Sequence, residues 1–308
     1  MQFNEYLKTC REHSHLTQEQ LVQDLYLYDD MAFDGLDTNT ISRWERGISK
    51  PKLPRQVNII KYFQKITHKA LPCWEQYSTI ETEELICKAG MQNLLGKSKK
   101  LILDFPDKMM RANDLVVSQL RNTEEIDKVI EINMELDQSF NHKFTGLLPE
   151  DFETWALHNS NSFYICEYKK QFFGLLFTLR LKLEAFEKIM NHEIKEKELT
   201  TNDLASLDEM GSNYIISFFA LNKKAASMLF IRYYAHLISY QSVISEVGAA
   251  TMMEDARKLL GSMNLHHHKD LDLYNGLTIQ TWRETLPNFL ASEQVVKMIL
   301  SKQSCPEE

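Results

Sequence analysis

The sequence predicts an α+β protein in which an all-α N-terminal domain precedes a mixed α/β domain. In the first 70 residues, apolar side chains recur at helical spacing between capping and stop residues. From residue 113 onward, runs rich in β-branched and aromatic residues alternate with helical segments. A chain of 308 residues is long enough for two domains, so we expect domains at 1–70 and 113–308 and a connector at 71–112.

A segment of the N-terminal domain has the pattern of a helix-turn-helix. It reads LTQEQLVQDL, then an irregular YLYDDMAFDGL, then DTNTISRWERGISKPKL. Asp37 or Thr38 can cap the second helix, and Gly47 can end it. Its inward positions are Ile41 and Trp44, which leaves a polar outer face. A short, capped helix with a polar outer face is suited to a DNA groove.

Positive charge is concentrated in the same part of the chain. Between Thr38 and Lys69 there are eight basic residues and one acid, Glu45, for a net charge of +7, whereas the whole chain carries −8. After Ala70 the chain has 25 basic and 34 acidic residues. One compact basic stretch on an acidic protein indicates a single face for phosphates and argues against indiscriminate nucleic-acid binding.

The motifs TQEQL and TISRWERG, with a proline soon after, resemble the Cro/C1-type repressor domain of the XRE family over about the first 70 residues. In that family the first helix of the motif abuts the DNA backbone and the second reads bases. The resemblance implies base contacts from Thr38, Asn39 and Arg43, because Asn suits adenine and Arg suits guanine. Double-stranded DNA is the expected partner. The full DNA-binding set, which includes backbone contacts, is Gln18, Thr38, Asn39, Thr40, Arg43, Arg46 and Lys50.

The same resemblance implies structural roles. Arg11 matches a family position that pairs with an acid, here Glu45, in a partly buried bridge between the first helix and the recognition helix. Residues Tyr26 to Phe33, before Gly35, are extra relative to the family. They either lengthen the first helix of the motif or bulge outward, and their acids should point away from DNA. The expected core positions are Leu21, Leu25, Ile41, Trp44, Leu53, Ile59 and Phe63.

Composition and cysteine spacing exclude several classes of protein. No apolar run approaches the ~20 residues of a membrane helix, and the N-terminal MQFNEYLKTCREH lacks the apolar centre of a signal peptide. The five cysteines are scattered without CxxC spacing, so neither a zinc site nor a disulfide framework is expected. We therefore expect a cytoplasmic protein with no membrane partner, no metal and no cofactor.

The connector holds two candidate surfaces for a homodimer. Ile80–Leu95 has apolar positions at helical spacing and acids near its start. The short apolar run LILDFP could be a strand or an arm that packs on a partner subunit. Because one DNA-binding head reads only a few base pairs, we expect a two-fold homodimer that uses Ile86, Leu94 and LILDF.

The second domain alternates strands and helices. Strands are predicted at VVSQLR, at a hairpin of SFYICEY and FFGLLFTLRLK, at NYIISFFAL, at SVISEVGAA, and at a closing hairpin DLDLYNGLTIQTWRE that turns at Asn275-Gly276. Helices are predicted at Thr123–Phe140, Phe152–His158, Ala225–Tyr240, Met253–Met263 and Ser292–Leu300.

This order of elements resembles the GNAT acyltransferase fold over roughly residues 113–285. In active members, the loop after the central strand uses glycine-rich backbone to cradle the pyrophosphate of acyl-coenzyme A. Here that loop is Leu221–Ser227, and it contains no glycine. The general-acid tyrosine of the family has no clear counterpart, since Tyr233, Tyr234 and Tyr240 fit core or interface positions better. We therefore assign no catalytic residue.

Three further clusters have structural explanations that we favour over functional ones. His266, His267 and His268 are consecutive, and neighbouring loop residues seldom converge on one metal ion. Glu246 and the pair Glu254-Asp255 could bind a ligand amine, but acids at helix starts are commoner. An aromatic set could line a small apolar pocket, although a domain core is favoured: Phe163, Tyr164, Phe172, Phe173, Phe177, Phe218, Phe219 and Trp282.

The sequence thus predicts a sequence-specific DNA-binding transcriptional regulator. Its GNAT-like domain would sense a small-molecule or protein effector, or mediate dimerisation. The alternative is an acyl-coenzyme A-dependent N-acetyltransferase fused to a DNA-binding head. The glycine-free loop after the central strand favours the regulator over the enzyme.

Overall fold

The computed structural model describes residues 1–86, 91, 95, 101–103, 114–120, 126–127, 129–133, 135, 148–273 and 276–300. The chain divides into two compact units. The first comprises Met1–Leu94, Tyr233–Ser242 and Leu286–Glu308, and the second comprises Leu95–Arg232 and Val243–Thr285. The sequence pattern had placed the C-terminal residues with the second domain, whereas the structure groups them with the first unit.

The first unit begins with six helices. They are α1 (Phe3–His13), α2 (Gln18–Tyr28), α3 (Asp30–Phe33), α4 (Thr38–Glu45), α5 (Leu53–Thr67) and α6 (Thr79–Leu85). Both helices of the sequence motif are present, as α2 and α4, and each starts at a side-chain cap, Thr17 and Asp37 respectively. Every expected core position is buried except Leu53, which is half buried because it is the first residue of α5.

The extra residues before Gly35 lengthen the motif helix and then form a short helix of their own. α2 continues to Tyr28, and the carboxylate of Asp29 caps α3 by accepting the Ala32 N–H at 2.9 Å. Phe33 is fully buried, and the ring of Tyr28 packs edge-on against Tyr62 of α5. The segment is therefore attached to the helical core through Phe33 and Tyr28, while the side chains of Tyr26, Leu27 and Met31 are exposed.

The second unit is built on a mixed sheet. Its seven strands are β1 (Leu115–Gln119), β2 (Ser162–Tyr168), β3 (Gln171–Lys182), β4 (Gly211–Ala220), β5 (Ile244–Thr251), β6 (His266–Asp272) and β7 (Thr278–Thr285). They lie in the order β1-β2-β3-β4-β5-β7-β6. β4 and β5 are parallel, and the other neighbouring pairs are antiparallel. The strands follow the predicted order along the chain, but β6 begins at His266, where a loop was expected.

Four helices connect these strands. They are α7 (Pro149–Leu157), α8 (Leu183–Met190), α9 (Lys223–Ser239) and α10 (Glu254–Ser262), and the described residues between 126 and 135 are also helical. Ile126, Val129 and Ile130 are buried, as the predicted helical face requires. The predicted cap Thr123 and the turn residue Asn275 lie outside the described residues. α8 was not predicted, although its apolar side chains pack under the sheet.

Two short helices end the described chain, α11 (Leu286–Leu290) and α12 (Glu293–Ile299). They belong to the first unit, where the amide of Gln64 on α5 donates to the carbonyl of Pro287 at 2.8 Å. The ring of Phe289 stacks on Tyr234 with centroids 5.2 Å apart. These contacts explain why the C-terminal residues join the helical unit. Among the described residues, no helix has both the length and the apolar content needed to cross a membrane.

Candidate DNA-binding face and candidate ligand cavity

α4 is fixed at both ends and on one side. The carboxylate of Asp37 accepts the Thr40 N–H at 2.7 Å, and hydrogen bonds from the Thr40 side chain and backbone lower the pKa of Asp37. Ile41 and Trp44 are buried against the other helices. Gly47 takes a φ of +69°, the left-handed conformation that glycine adopts without strain, and so ends the helix. The helix therefore presents a single, defined face to solvent.

Three residues predicted to contact bases lie on that face. Thr38, Asn39 and Arg43 are exposed. Arg46 is also exposed, with its Nε donating to the carbonyl of Ser42 at 3.2 Å, and Thr40 is half buried. A short helix with exposed amide and guanidinium groups has the donors that recognise base edges in a major groove.

The bridge predicted between α1 and α4 is confirmed. The guanidinium of Arg11 meets Glu45 twice, with Nε at 2.5 Å from Oε1 and a terminal nitrogen at 3.1 Å from Oε2. The amide nitrogen of Gln18 also donates to Glu45 Oε2, at 2.7 Å. The sequence analysis assigned Gln18 to a DNA phosphate. In the structure its side-chain amide donates to Glu45 within the protein.

The basic segment contains fewer free cations than its net charge of +7 indicates. The ammonium of Lys50, another residue assigned to DNA, donates to the backbone carbonyl of Leu300 at 3.2 Å, and partial burial lowers the pKa of Lys50. Lys69 forms an ion pair with Glu75. The ammonium of Lys65 lies 5.5 Å from the ring centre of Tyr28. Positive charge along a sequence does not by itself fix which side chains reach a ligand.

A cavity of about 340 Å³ lies in the second unit, where β4 and β5 separate. Their parallel pairing ends at Ile215 and Ala249, while β4 continues to Ala220. The cavity is lined mostly by apolar side chains from β4, β5, α8, α9 and α10. Members of that lining include Phe152, Ile189, Ile216, Phe218, Phe219, Phe230, Ala250, Leu259, Leu260 and Met263.

The main-chain edge of β4 beyond this separation is occupied by the connector. Leu103 N–H donates to the Ala220 carbonyl, and Ala220 N–H donates to the Leu101 carbonyl, both at 2.9 Å. The run LILDF was predicted to be a strand or a dimer arm. Its residues 101–103 pair with the edge of β4 in the same chain, as a strand would.

Asn133 is the most informative polar residue in the cavity wall. It is 1% exposed, and its Oδ1 accepts the hydroxyl of Ser217 at 2.6 Å. Its Nδ2 has no hydrogen-bond partner among the described residues. A second polar pair in the wall is self-satisfied, since Tyr214 donates to Glu196, and burial raises the pKa of Tyr214. Asn133 Nδ2 is therefore a buried donor without a partner among the described residues, in a mostly apolar wall that also includes the polar side chains His192, Lys195 and Thr251.

In the loop after β4, the side chain of Asn222 accepts a hydrogen bond from the backbone at the start of α9. Asn222 is buried, and its Oδ1 accepts the Ala225 N–H at 2.9 Å at the start of α9. Ser227 donates to the Lys223 carbonyl at 2.7 Å. The N–H groups at a helix start are the usual donors to a phosphate. One of them is already occupied here.

Several residues that the sequence singled out are structural. Tyr233 and Tyr234 are fully buried, and burial raises the pKa of Tyr234. Glu246 lies within β5, not at a helix start, and its carboxylate receives two hydrogen bonds from Arg283 at 2.6 and 2.7 Å. The same guanidinium holds Glu187, whose pKa it lowers. This ion-pair network ties α8 to the sheet.

The histidine run was expected in a loop and instead lies in β6. All three side chains are exposed, and each has a separate neighbour: Glu284 for His266, Asp270 for His267 and Asn191 for His268. In the part of the chain that the structure describes, no group of three or more His, Cys, Asp or Glu residues is arranged to hold a metal ion. The aromatic set is mostly core, with Phe218 and Phe219 also in the cavity wall.

No protein-family model and no curated protein sequence matches this chain. Solved structures do. FeeM, an N-acyl amino acid synthase from uncultured soil microbes, is 10% identical in sequence. The similarity covers 57% of this chain and 92% of the FeeM chain, with a TM-score of 0.41. Aminoglycoside 6'-acetyltransferase type Ii is 8% identical, with coverages of 56% and 97% and a TM-score of 0.37.

An acetyltransferase of the GNAT family from Streptococcus agalactiae 2603 is 13% identical, with coverages of 56% and 95% and a TM-score of 0.35. The C-terminal part of the chain resembles these proteins in fold, over 57% of the chain in the case of FeeM.

Proposed function

We propose that this protein is a sequence-specific DNA-binding regulator of transcription. The observation that carries the proposal is the exposed face of α4, where Thr38, Asn39 and Arg43 project from a helix anchored by Ile41 and Trp44. Asn and Arg side chains make bidentate contacts to adenine and guanine in the major groove. Arg46, at the end of the helix, is placed for a phosphate.

Two arginines on α4 separate base reading from general attraction. A binding site is first selected from a random duplex library with the full-length protein, and Kd is then measured by fluorescence anisotropy on that site and on a scrambled duplex. Arg43→Ala should weaken the selected site by about 1–3 kcal/mol and relax its preference. Arg46→Ala should weaken both duplexes alike. Lys170→Ala, an exposed cation in the β2–β3 turn, should change neither.

The result that contradicts this assignment is equally direct. If Arg43→Ala lowers the affinity for both duplexes by the same factor, Arg43 does not read bases. If the library yields no selected site, the protein is not a sequence-specific regulator.

The second unit, in this proposal, senses a small molecule in the cavity between β4 and β5. The cavity volume of about 340 Å³ lies within the ~300–1,000 Å³ typical of small-molecule sites. Most of its wall is apolar, so the ligand is mostly apolar. The buried amide of Asn133 supplies one donor, so the ligand carries a hydrogen-bond acceptor such as a carbonyl oxygen. A buried donor left unpaired costs about 1–3 kcal/mol, which the right ligand recovers.

A pair of compounds of the same shape tests this ligand class. 2-Octanone has a carbonyl, and 2-methyl-1-octene replaces that oxygen with a methylene group. Both are titrated against a neutral fluorescent probe, N-phenyl-1-naphthylamine, bound to the full-length protein. The ketone should displace the probe about tenfold more strongly, a difference of about 1.4 kcal/mol. The preference should vanish in Asn133→Leu, and Ala250→Phe should fill the cavity and weaken both compounds.

Equal displacement by the ketone and the alkene in the wild-type protein would remove the role of Asn133. A ketone preference that survives in Asn133→Leu would place the donor elsewhere. Because neither titration contains DNA, this result is independent of the α4 experiment.

The alternative function, an acyl-coenzyme A-dependent N-acetyltransferase, is less well supported. Asn222 fills the loop after β4 and already takes the N–H of Ala225. A pyrophosphate needs several converging N–H groups, and the helix dipole alone supplies only about 0.3–1 kcal/mol in exposed sites. Calorimetry with acetyl-coenzyme A decides the question. Binding in the low micromolar range that Lys224→Glu abolishes would favour the enzyme.

A further inference from the structure

Cys10 and Cys73 are brought together by the fold of the first unit. They are 63 residues apart in the sequence, yet their Sγ atoms are 2.9 Å apart. Cys10 is buried on α1, whereas Cys73 is half exposed in the turn that follows α5. A disulfide has an S–S distance of about 2.05 Å, so a shift of about 1 Å in the two sulfurs joins them.

The backbone at Cys73 adds an independent observation. Cys73 has a φ of +66°, a left-handed conformation that is uncommon for a residue with a Cβ. Its neighbours Leu71 and Trp74 are buried, which holds the turn in place. Residues kept in such conformations are concentrated at functional positions.

The two thiols have different reactivities. Cys10 donates its S–H to the sulfur of Cys73, and this hydrogen bond lowers the pKa of Cys73. Burial raises the pKa of Cys10. Cys73 is therefore the more accessible thiol and the one with more thiolate, and thiolate is the form that reacts.

We propose that Cys73 is a site of oxidation by a hydroperoxide and that Cys10 resolves the product to a disulfide. The Cys73 thiolate attacks the terminal peroxide oxygen. An S–O bond forms, the O–O bond breaks, and the leaving oxygen takes a proton as water or an alcohol. The Cys10 sulfur, having given up its proton, then attacks the sulfenic sulfur of Cys73. An S–S bond forms and water leaves, so two thiols lose two electrons in total and the peroxide gains them.

The disulfide would tie α1 to the turn after α5. Cys10 directly precedes Arg11, whose guanidinium holds Glu45 at the end of α4. Oxidation at this site therefore acts next to the bridge that positions the candidate recognition helix. The thiol chemistry itself does not depend on DNA binding and can be tested without it.

The experiment uses the full-length chain with its three other cysteines, Cys87, Cys166 and Cys305, replaced by serine. Hydrogen peroxide is added at increasing concentration, and free thiols are alkylated and counted by mass spectrometry. We expect both thiols to disappear together, with one intramolecular linkage between the Cys10 and Cys73 peptides that dithiothreitol reverses. Adding Cys10→Ala should instead leave a sulfenic acid on Cys73, which dimedone captures.

Cys166 provides the matched control, because it is buried alone in β2 and burial raises its pKa to about 12. In a variant that keeps Cys10, Cys73 and Cys166, so that the hydrogen bond from Cys10 is retained, Cys166 should react with hydrogen peroxide at least about tenfold more slowly than Cys73. The proposal is overturned if Cys73 reacts no faster than Cys166, or if the disulfide that forms links two chains. Circular dichroism of each variant before oxidation confirms that the comparison concerns folded protein.

Discussion

Replacing Glu45 tests whether the bridge between α1 and α4 stabilises the candidate recognition helix. The Glu45 side chain is 5% exposed and the Arg11 side chain 13%. Breaking a buried ion pair by removing one partner costs about 3–5 kcal/mol, and the partial exposure of Arg11 lowers this to about 2–4 kcal/mol for Glu45→Leu. Gln18 also loses its acceptor in this variant.

Hydrogen exchange measured by mass spectrometry suits this question, because it reports the opening of α4 separately from the second unit. A loss of about 2–4 kcal/mol lowers the protection of α4 amides by about 30- to 1,000-fold, since 1.4 kcal/mol is a factor of ten. The double variant Arg11→Met/Glu45→Leu should recover most of the protection. It buries no unpaired charge, and apolar replacement of a whole ion pair is often nearly neutral.

The double variant also gives the refuting result. If the free energy of α4 opening lost in the double variant equals the sum of the losses in Arg11→Met and Glu45→Leu, the two side chains are not coupled. The bridge would then not explain the stability of α4. A Glu45→Leu loss below about 1 kcal/mol would give the bridge the energy of an ordinary surface pair.

Three further predictions concern the rest of the molecule. Gly248→Ala should destabilise the second unit by about 1–3 kcal/mol in thermal unfolding, because the new Cβ would lie 2.7 Å from the Phe186 ring. Gly261→Ala is the matched control. Its new Cβ would lie 3.7 Å from the nearest atom, on Trp282, so this variant should be neutral or mildly stabilising. Arg283 lowers the pKa of Glu187, so ionised Glu187 stabilises the folded protein. This stabilisation is complete above the ordinary glutamate pKa of about 4.3 and is lost as the pH falls through the lowered pKa. Melting temperatures measured from about pH 6 to pH 3 should therefore fall less steeply in Arg283→Met than in the wild-type protein. Sedimentation should show a two-fold homodimer, and a monomer at micromolar concentration that does not pair on DNA would contradict this.

The elements that the sequence predicted correctly are those whose signals are local and agree with one another. α4 has a cap at Asp37, two inward apolar residues and a stop at Gly47, and all three signals fall within eleven residues. β4 is similarly clear, because β-branched and aromatic residues run through it. The missed helix α8 did carry a signal, since Ala185, Phe186, Ile189 and Met190 recur at helical spacing and are buried.

β6 shows what a local pattern lacks. Its sequence HHHKDLD is polar, and nearly all of its side chains are exposed. Hydrogen bonds to β7 define it as a strand at the sheet edge. Near the turn the paired residues, Asp272 and Thr278, are 6 positions apart, whereas at the histidine end His266 pairs with Arg283, 17 positions away, so that end depends on a more distant partner. Exposed, polar edge strands are common because they limit edge-to-edge association, and for the same reason they resemble loops in sequence.

The residues of the candidate sites likewise divide into those with a local sequence signal and those without one. The exposed residues of α4 could be named from the sequence, because a helix fixes which positions share a face. Asn133 could not, because a single asparagine in a helical pattern gives no sign that Ser217 will donate to its oxygen while its nitrogen has no partner among the described residues. The pairing of Cys10 with Cys73 had no local signal either, and the scattered cysteines argued against any pair. In each of these cases the chemistry arises from contacts between distant parts of the chain, and only the three-dimensional fold specifies those contacts.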